Sequence, residues 1–129
     1  MTLADTSAWV EFLRGTDSAA NVRLRELLRA EQLATTDTVL MEVLAGARDA
    51  DHRDRLRGLL ARCRFVATEG PRDYEDAAEI FRACRRAGDS VRGLTDCLIA
   101  SVAIRSETPI LHADSDFDAI ARNTPLKLA

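Results

Sequence analysis

Residues 2–15 read TLADTSAWVEFLRG, and this stretch decides which class of fold the rest of the chain must complete. Its first three residues form a short apolar start that ends at Asp5, as expected for a buried strand. A capping Thr or Ser then introduces a helix, which Gly15 ends. The stretch therefore predicts a strand followed directly by a helix, with a carboxylate at the junction.

The same alternation of strand and helix continues to the C-terminus. Further short strands are predicted at residues 32–35, 64–67 and 109–112, with an edge strand at 125–128. Apolar residues at helical spacing predict helices around 24–28, from a cap at Asp37 onward, over 51–63, from Tyr74 to near Gly88, from a cap at Thr95 onward, and over 117–121. This alternation predicts an α/β fold, a three-layer α/β/α sandwich with a mainly parallel central sheet of about four to five strands.

Length and composition limit the chain to one compact unit. The 129 residues suit a single domain spanning 1–129. Hydrophobic residues make up 47% and charged residues 30%, so a mainly disordered chain is excluded. No run of 18 apolar residues is present, and no basic stretch leads into an apolar one at the N-terminus. We therefore expect no membrane segment, and a location in the cytoplasm.

The charged residues and cysteines exclude several kinds of site. The net charge of −3 argues against a simple basic nucleic-acid binder. Lys127 is the only lysine, so 17 of the 18 cations are arginine. The planar arginine fork suits phosphate and carboxylate groups, although an arginine-favouring genome would give the same count. Three cysteines without close spacing predict neither a disulfide framework nor a zinc knuckle.

Four acids occupy the junctions of this pattern. Asp5 and Asp114 close the first and fourth predicted strands. Asp96 lies in the first turn of a helix, and Glu42 lies in the helix after the second strand. In open α/β sheets, ligands bind beyond the carboxyl ends of the strands, so we expect the four acids to converge on one cleft.

A cluster of four carboxylates must bind protons or cations. Each close pair repels by roughly 1–4 kcal/mol at a surface-like dielectric. Oxygen ligands with few His or Cys nearby select Mg²⁺ or Mn²⁺. Such a site suits the hydrolysis of phosphodiesters, because a metal polarises the phosphate and lowers the pKa of a bound water. No Ser and His form a recognisable arrangement, so a serine hydrolase is not expected.

Each acid also has a purely structural interpretation. Asp5 could cap the first helix, and Asp96 could be favoured by the dipole of its own helix. Glu42 could be a solvated helix residue. Asp114 competes with Asp116 and Asp118, and Asp116 could cap the last helix. The joint placement of the acids is more informative than any one of them.

Four blocks of the sequence resemble the motifs of a known family. They are LADTSAWV (3–10), MEVLAG (41–46), LTDCLIA (94–100) and HADSDF (112–117). In this order, and over nearly the whole chain, they resemble the four motifs of PIN-domain nucleases. The most similar members of that family are the VapC ribonuclease toxins of bacterial toxin–antitoxin pairs.

The resemblance implies a small α/β/α fold, Mg²⁺- or Mn²⁺-dependent endoribonuclease activity, homodimerisation and a VapB-type antitoxin as partner. By the motifs, Asp5 and Asp96 would be the main metal ligands. Glu42 and Asp114 would complete the set of catalytic, metal-binding acids. Thr6 would face the metal, and Asp116 would assist through water without direct metal binding. The RNA that is cut does not follow from the resemblance.

The arginines gain a second interpretation from the same resemblance. An RNA backbone needs cations beside an acidic centre. Arg92, four residues before Asp96, is the best candidate for a contact with an RNA phosphate. A solvated, salt-bridged helix face remains the alternative for most of the arginines.

Two other functions share the same acids. A phosphoacceptor signalling domain also carries acids and Mg²⁺ at strand ends. It needs an acidic pair after the first strand and a Lys after the fifth, whereas Thr6 follows Asp5 here and Lys127 is the third residue from the end. A non-catalytic domain could instead use the acidic cleft to hold an Arg of a partner chain.

Overall fold

The computed structural model describes all 129 residues, arranged as four short strands and seven helices. The strands are β1 (Thr2–Ala4), β2 (Leu33–Thr35), β3 (Arg64–Phe65) and β4 (Ile110–Leu111). The helices are α1 (Thr6–Arg14), α2 (Ala19–Arg29), α3 (Asp37–Ala45), α4 (Ala50–Leu60), α5 (Arg72–Arg86), α6 (Leu94–Arg105) and α7 (Ser115–Asn123). None of these helices is long and apolar enough to cross a membrane.

The strands form one parallel sheet in the order β3-β2-β1-β4. Leu3 lies opposite Ala34 on one side and Ile110 on the other, so β1 is central. Successive side chains of a strand point to opposite faces, and both Leu3 and Ala4 are fully buried. Helices therefore cover both faces of the sheet, which confirms the predicted α/β class.

The fifth predicted strand, at 125–128, is wrong as a strand. Only Leu128 pairs with the sheet, through an isolated parallel bridge to Ile110. Pro125 has no N–H to donate, so it adds no donor to the pairing at this edge of the sheet. The central sheet therefore has four strands, and β4 is bordered by a single bridge.

Two predicted helix caps are also wrong. Asp5, and neither Thr6 nor Ser7, caps α1, because its carboxylate accepts the N–H of Ala8. Gly93, and not Thr95, takes the extended N-cap conformation before α6, with no side-chain cap. Both helices therefore begin earlier in the chain than the sequence predicted.

The cap predicted at Asp37 is displaced in the same way. Thr36 is the N-cap of α3, and Asp37 is the first residue of the helix. The carboxylate of Asp37 instead accepts hydrogen bonds from the N–H and the hydroxyl of Thr68, at 2.9 and 2.7 Å. Asp37 thus ties the start of α3 to the segment after β3.

A single apolar core joins the sheet to the helices, and it explains the unusual pattern of α6. Residues 97–103 of that helix are all buried, so it has no polar face over two turns. Trp9, at 1% exposure, and Phe117, fully buried, bring the starts of α1 and α7 into the same core. The polar residues at the ends of these three helices are therefore held on rigid elements.

Candidate active site

The carboxyl ends of β1 and β4 bring two acidic loops together. The backbone N–H of Asp5 donates to the carbonyl of Leu111 at 3.0 Å, so the end of β1 lies against the end of β4. Ser7 adds a second tie, since its hydroxyl accepts the N–H of Ala113 at 2.8 Å. The Asp114 loop is thereby fixed beside the start of α1.

Asp5 is buried at this junction, with only 2% of its surface exposed. Its Oδ1 accepts the hydroxyl of Ser7 at 2.7 Å and the N–H of Ala8 at 3.2 Å. Burial raises the pKa of Asp5, although these hydrogen bonds oppose the shift. The predicted structural role of Asp5 as a helix cap is therefore real, and it leaves Oδ2 without a hydrogen bond.

Three other carboxylates form the tightest acidic group in the protein. Asp96, Asp114 and Asp116 each offer an oxygen within 4.8 Å of the others. Asp96 lies in the first turn of α6, and Asp114 caps α7 by accepting the N–H of Asp116 at 2.9 Å. Asp114, and not Asp116, is therefore the cap of the last helix, which leaves the Asp116 carboxylate in the group.

The pKa of Asp96 shows how strongly these acids interact. It is raised to about 7, first by burial and then by the negative charges of Asp114 and Asp5. A hydrogen bond between Asp96 and Asp116 raises the pKa further, because it requires a proton. Asp5 therefore acts on the same electrostatic site as the three-acid group.

Arg92 closes one side of the three-acid group. Its backbone N–H donates to Asp116 Oδ2 at 3.0 Å, and its Nη2 donates to Asp114 Oδ1 at 3.1 Å. Its Nε lies 3.6 Å from Asp116 Oδ1, while 78% of the side chain stays exposed. Arg92 thus lies at the acidic site, where it forms ion pairs with Asp114 and Asp116.

Glu42 lies outside the three-acid group. The four predicted acids therefore do not all meet in one tight cluster. Its Oε1 accepts the hydroxyl of Thr6 at 2.7 Å. Thr6 follows Asp5 directly, so Glu42 is linked to the site through one intervening side chain. Glu42 is half-buried, so its side chain does not lie in the core.

Sequence reasoning missed two residues that shape the site. Ser7 bridges Asp5 and the Asp114 loop, as described above. His112 accepts the N–H of Asp114 at Nδ1, at 3.2 Å, and its ring packs against Phe117. Their position within the acidic motifs was the available signal, since Ser7 is two residues after Asp5 and His112 two residues before Asp114.

Lys127 does not complete a phosphoacceptor site. Its carbonyl accepts the N–H of Ile110, and its side chain lines a cavity with Glu107 and Thr108. These residues lie where β4 begins, whereas the acids lie where the strands end. The lysine that a phosphoacceptor domain needs beside its acids is therefore near the amino ends of the strands, away from the acids.

Comparisons with known proteins agree with this architecture. The sequence profile of the PIN domain family matches residues 2–123. The chain is 45% identical over 131 aligned residues to Ribonuclease VapC11 of Mycobacterium tuberculosis (strain ATCC 25618 / H37Rv). That alignment covers 100% of this chain and 98% of the relative.

Solved structures show the same fold at lower sequence identity. The crystal structure of FitAcB from Neisseria gonorrhoeae superposes with a TM-score of 0.74 at 19% identity, covering 99% of this chain and 96% of that one. VapBC2 from Rickettsia felis, bound to a DNA fragment from its promoter, gives a TM-score of 0.70 at 19% identity, with the same coverage. At this identity, the likeness establishes the fold alone.

Proposed function

The chain belongs to the PIN domain family, and we propose that it is a VapC-type ribonuclease, the toxin of a toxin–antitoxin pair, which hydrolyses phosphodiester bonds in RNA. Its relative VapC11 carries the name ribonuclease and matches the chain over its full length. The proposed partner is an antitoxin of the VapB type, and the proposed place of action is the cytoplasm, where RNA is available. We also propose that the toxin is a homodimer.

The cluster of acidic side chains at the carboxyl ends of the strands is the observation that supports this proposal. Asp96, Asp114 and Asp116 each offer a carboxylate oxygen within 4.8 Å of the others. The negative charge of Asp5 also raises the pKa of Asp96. Burial of mutually repelling acids is unfavourable unless they bind a proton or a cation. With its pKa raised to about 7, the Asp96 carboxyl is protonated in about half of the molecules at neutral pH.

The donor set fits Mg²⁺ or Mn²⁺. Every ligand atom offered is a carboxylate oxygen, which these ions prefer, and no thiolate lies in the group. Asp5 and Asp96, with Asp114, would hold the ion, and Asp116 is close enough to bind it directly or through water. When bound, such an ion would polarise the phosphate, generate a nucleophile from water and stabilise the leaving oxygen.

The chain's own residues prepare this chemistry in three ways. Asp96 would be deprotonated when it holds a cation, so cation binding is expected to tighten as pH rises. Asp5 and Ser7 hold the Asp114 loop against the end of β1, which keeps the acids at a fixed separation. Glu42, held by Thr6, would accept a proton or orient water at the outer side of the site.

Arg92 would bind a phosphate of the RNA substrate beside the acidic site. Its side chain is largely exposed, and Nη1 takes part in no hydrogen bond or ion pair, so one face of the fork is free. An RNA phosphate could bind this face while Asp114 and Asp116 hold the other. This is the phosphate contact that the sequence predicted for Arg92.

Cleavage of RNA by the purified chain tests the function. We expect cleavage with Mg²⁺ or Mn²⁺, none with EDTA, and a decrease of at least about 10³-fold in rate for Asp96→Asn or Asp5→Asn. Asp76→Asn, which changes an exposed acid on α5, is the matched control and should cleave normally. Folded Asp96→Asn protein that cleaves RNA at the parent rate would overturn the proposal.

A further inference from the structure

A second recess lies beside the acidic site, between α1 and the turn that joins α3 to α4. It encloses about 420 Å³. Thr6 and Glu42, which belong to the edge of the acidic site, form part of its wall. Arg14, Arg48 and His52 form another part, so the recess runs from the single carboxylate of Glu42 to a group of basic side chains.

The cations of this recess are free to bind a ligand. Neither the Arg14 nor the Arg48 side chain makes a hydrogen bond or an ion pair within the protein. Eight other arginines are paired with acids: Arg23, Arg53, Arg57, Arg72, Arg82, Arg92, Arg105 and Arg122. Arg14 and Arg48 therefore line one cavity, and neither guanidinium group has an ion-pair partner in the protein.

His52 adds an oriented donor to the same wall. Its Nδ1 accepts the backbone N–H of Arg48 at 3.1 Å. The neutral ring therefore carries its proton on Nε2, which has no partner within hydrogen-bond distance in the protein. The hydrogen bond also fixes the turn that carries Arg48, because it closes the end of α3 onto the start of α4.

The charge distribution around the recess favours a polyanion that also reaches the acidic site. The carboxylates beside it repel a phosphate chain, so an RNA strand that enters the site needs compensating cations next to them. Val10, Leu13 and Val43 line the remaining wall and offer an apolar surface for a sugar or a base. Planar arginine forks match phosphate oxygens in geometry as well as in charge.

We infer that this recess is a phosphate-binding subsite for the RNA substrate, in which Arg14, Arg48 and His52 hold the backbone of a nucleotide next to the bond that is cut. The inference rests on the proposed ribonuclease function, because it places the same strand in both sites. The interactions are with the backbone, so they position the strand and do not read its sequence.

Binding of a labelled single-stranded RNA oligonucleotide tests this subsite. Asp96→Asn protein serves as the parent in these measurements, so that the RNA stays intact. The test variant adds Arg14→Gln and Arg48→Gln, and the control adds Arg25→Gln and Arg86→Gln instead. Arg25 and Arg86 are exposed and unpaired, and neither lines the recess, so both variants remove the same charge.

We expect the test variant to bind about tenfold more weakly than the control, the scale of one charge-assisted hydrogen bond. The slope of log K against log salt should fall by about 0.7 for each RNA phosphate that the variant no longer neutralises. The decrease in affinity should be equal for oligo-C and oligo-U, since the backbone is common to both. Matching thermal unfolding of the two variants checks that the fold is intact.

Two results would overturn the subsite. One is equal affinity and equal salt slope for the test and control variants. The other is unchanged RNA binding by a test variant that no longer retains a co-expressed antitoxin, which would assign the recess to a protein. Cleavage by the wild-type chain is measured separately, so absence of cleavage would count against the ribonuclease function itself.

Discussion

Two acids on neighbouring helices show opposite solutions to the burial of a carboxylate. Asp73 and Asp96 each lie in the first turn of a helix, α5 and α6 respectively. Arg105 donates to both oxygens of Asp73, and the N–H of Glu69 donates to Asp73 Oδ2 at 2.7 Å. Asp96 instead faces other acids.

The two environments shift the pKa in opposite directions. Burial raises the pKa of both residues, but hydrogen bonds from Arg105 and Glu69 lower that of Asp73 overall. No cation of the protein forms an ion pair with Asp96, whose pKa rises to about 7. Asp73 therefore stabilises the fold as an ion pair, whereas Asp96 keeps a charge that only a proton or an external cation can balance.

Removal of the Asp73 carboxylate should have the larger effect on stability. Asp73→Ala leaves Arg105, only 16% exposed, without its main partner. We expect the free energy of unfolding to fall by about 3 kcal/mol, moderated by the remaining ion pair of Arg105 with Glu69. Urea unfolding measures this decrease, and Asp76→Ala, on the exposed side of the same helix, should change stability little. An unchanged midpoint for Asp73→Ala would contradict the assigned role of the pair.

Divalent cations should distinguish the two acids next. A ligand that binds only the folded state stabilises it by about 2.7 kcal/mol at one hundred times its Kd. We therefore expect Mg²⁺ or Mn²⁺ to raise the thermal unfolding temperature of the parent protein. Asp96→Asn should abolish most of this rise, while a folded Asp73→Asn variant should keep it. An equal shift in both variants would mean that the ions act elsewhere.

The two acids should also affect the pH dependence of the free energy of unfolding differently. This effect, measured with EDTA present, is expected to be smaller than the effect of divalent cations. The folded-state pKa of Asp96 is raised, so its contribution is favourable below the unfolded value of about 4 and is lost as pH rises towards about 7. We expect the protein to be about 1–2 kcal/mol less stable at pH 8 than at pH 5, after allowance for solvent screening. Asp96→Asn should remove most of this decline, and the remainder belongs to Asp5, whose pKa is also raised.

The contribution of Asp73 to stability should change with pH in the opposite direction, so Asp73 provides an internal control. Its folded-state pKa is lowered, so its contribution is present above the unfolded value and is lost as pH falls through the folded one. Asp73→Asn should therefore flatten the loss of stability in acid and leave the decline between pH 5 and pH 8 unchanged. If that decline disappears in Asp73→Asn instead, the assignment to Asp96 is wrong.

Local signals in the sequence were sufficient for most of the fold. Gly15 ends α1 in the left-handed conformation, at φ 65°, as its position after an apolar helix predicted. The alternation of short strands with helices led to the parallel sheet, because parallel neighbours need a crossover between them. The caps were less predictable, since Asp5, Thr6 and Ser7 are all good capping residues and only the backbone selects one.

The site was predictable in composition but not in arrangement. Asp5, Asp96 and Asp114 were predicted from their places at element ends, and the structure brings their charges together. The sequence assigned Asp116 an indirect role and placed Glu42 among the ligating acids, whereas Asp116 lies in the tight group and Glu42 lies outside it. A helical position alone does not tell how far a carboxylate reaches towards another helix.

The elements, their order and the motif residues follow from local sequence signals, because caps, glycines and apolar spacing act within a few residues of each other. Which charges meet depends on the packing of distant parts of the chain. The tertiary structure paired Asp73 with Arg105 across 32 residues and placed Asp96 beside Asp114, because distances between separate helices depend on the packing of the whole core. The same packing left Arg14 and Arg48 without an ion-pair partner in the recess that Glu42 also lines.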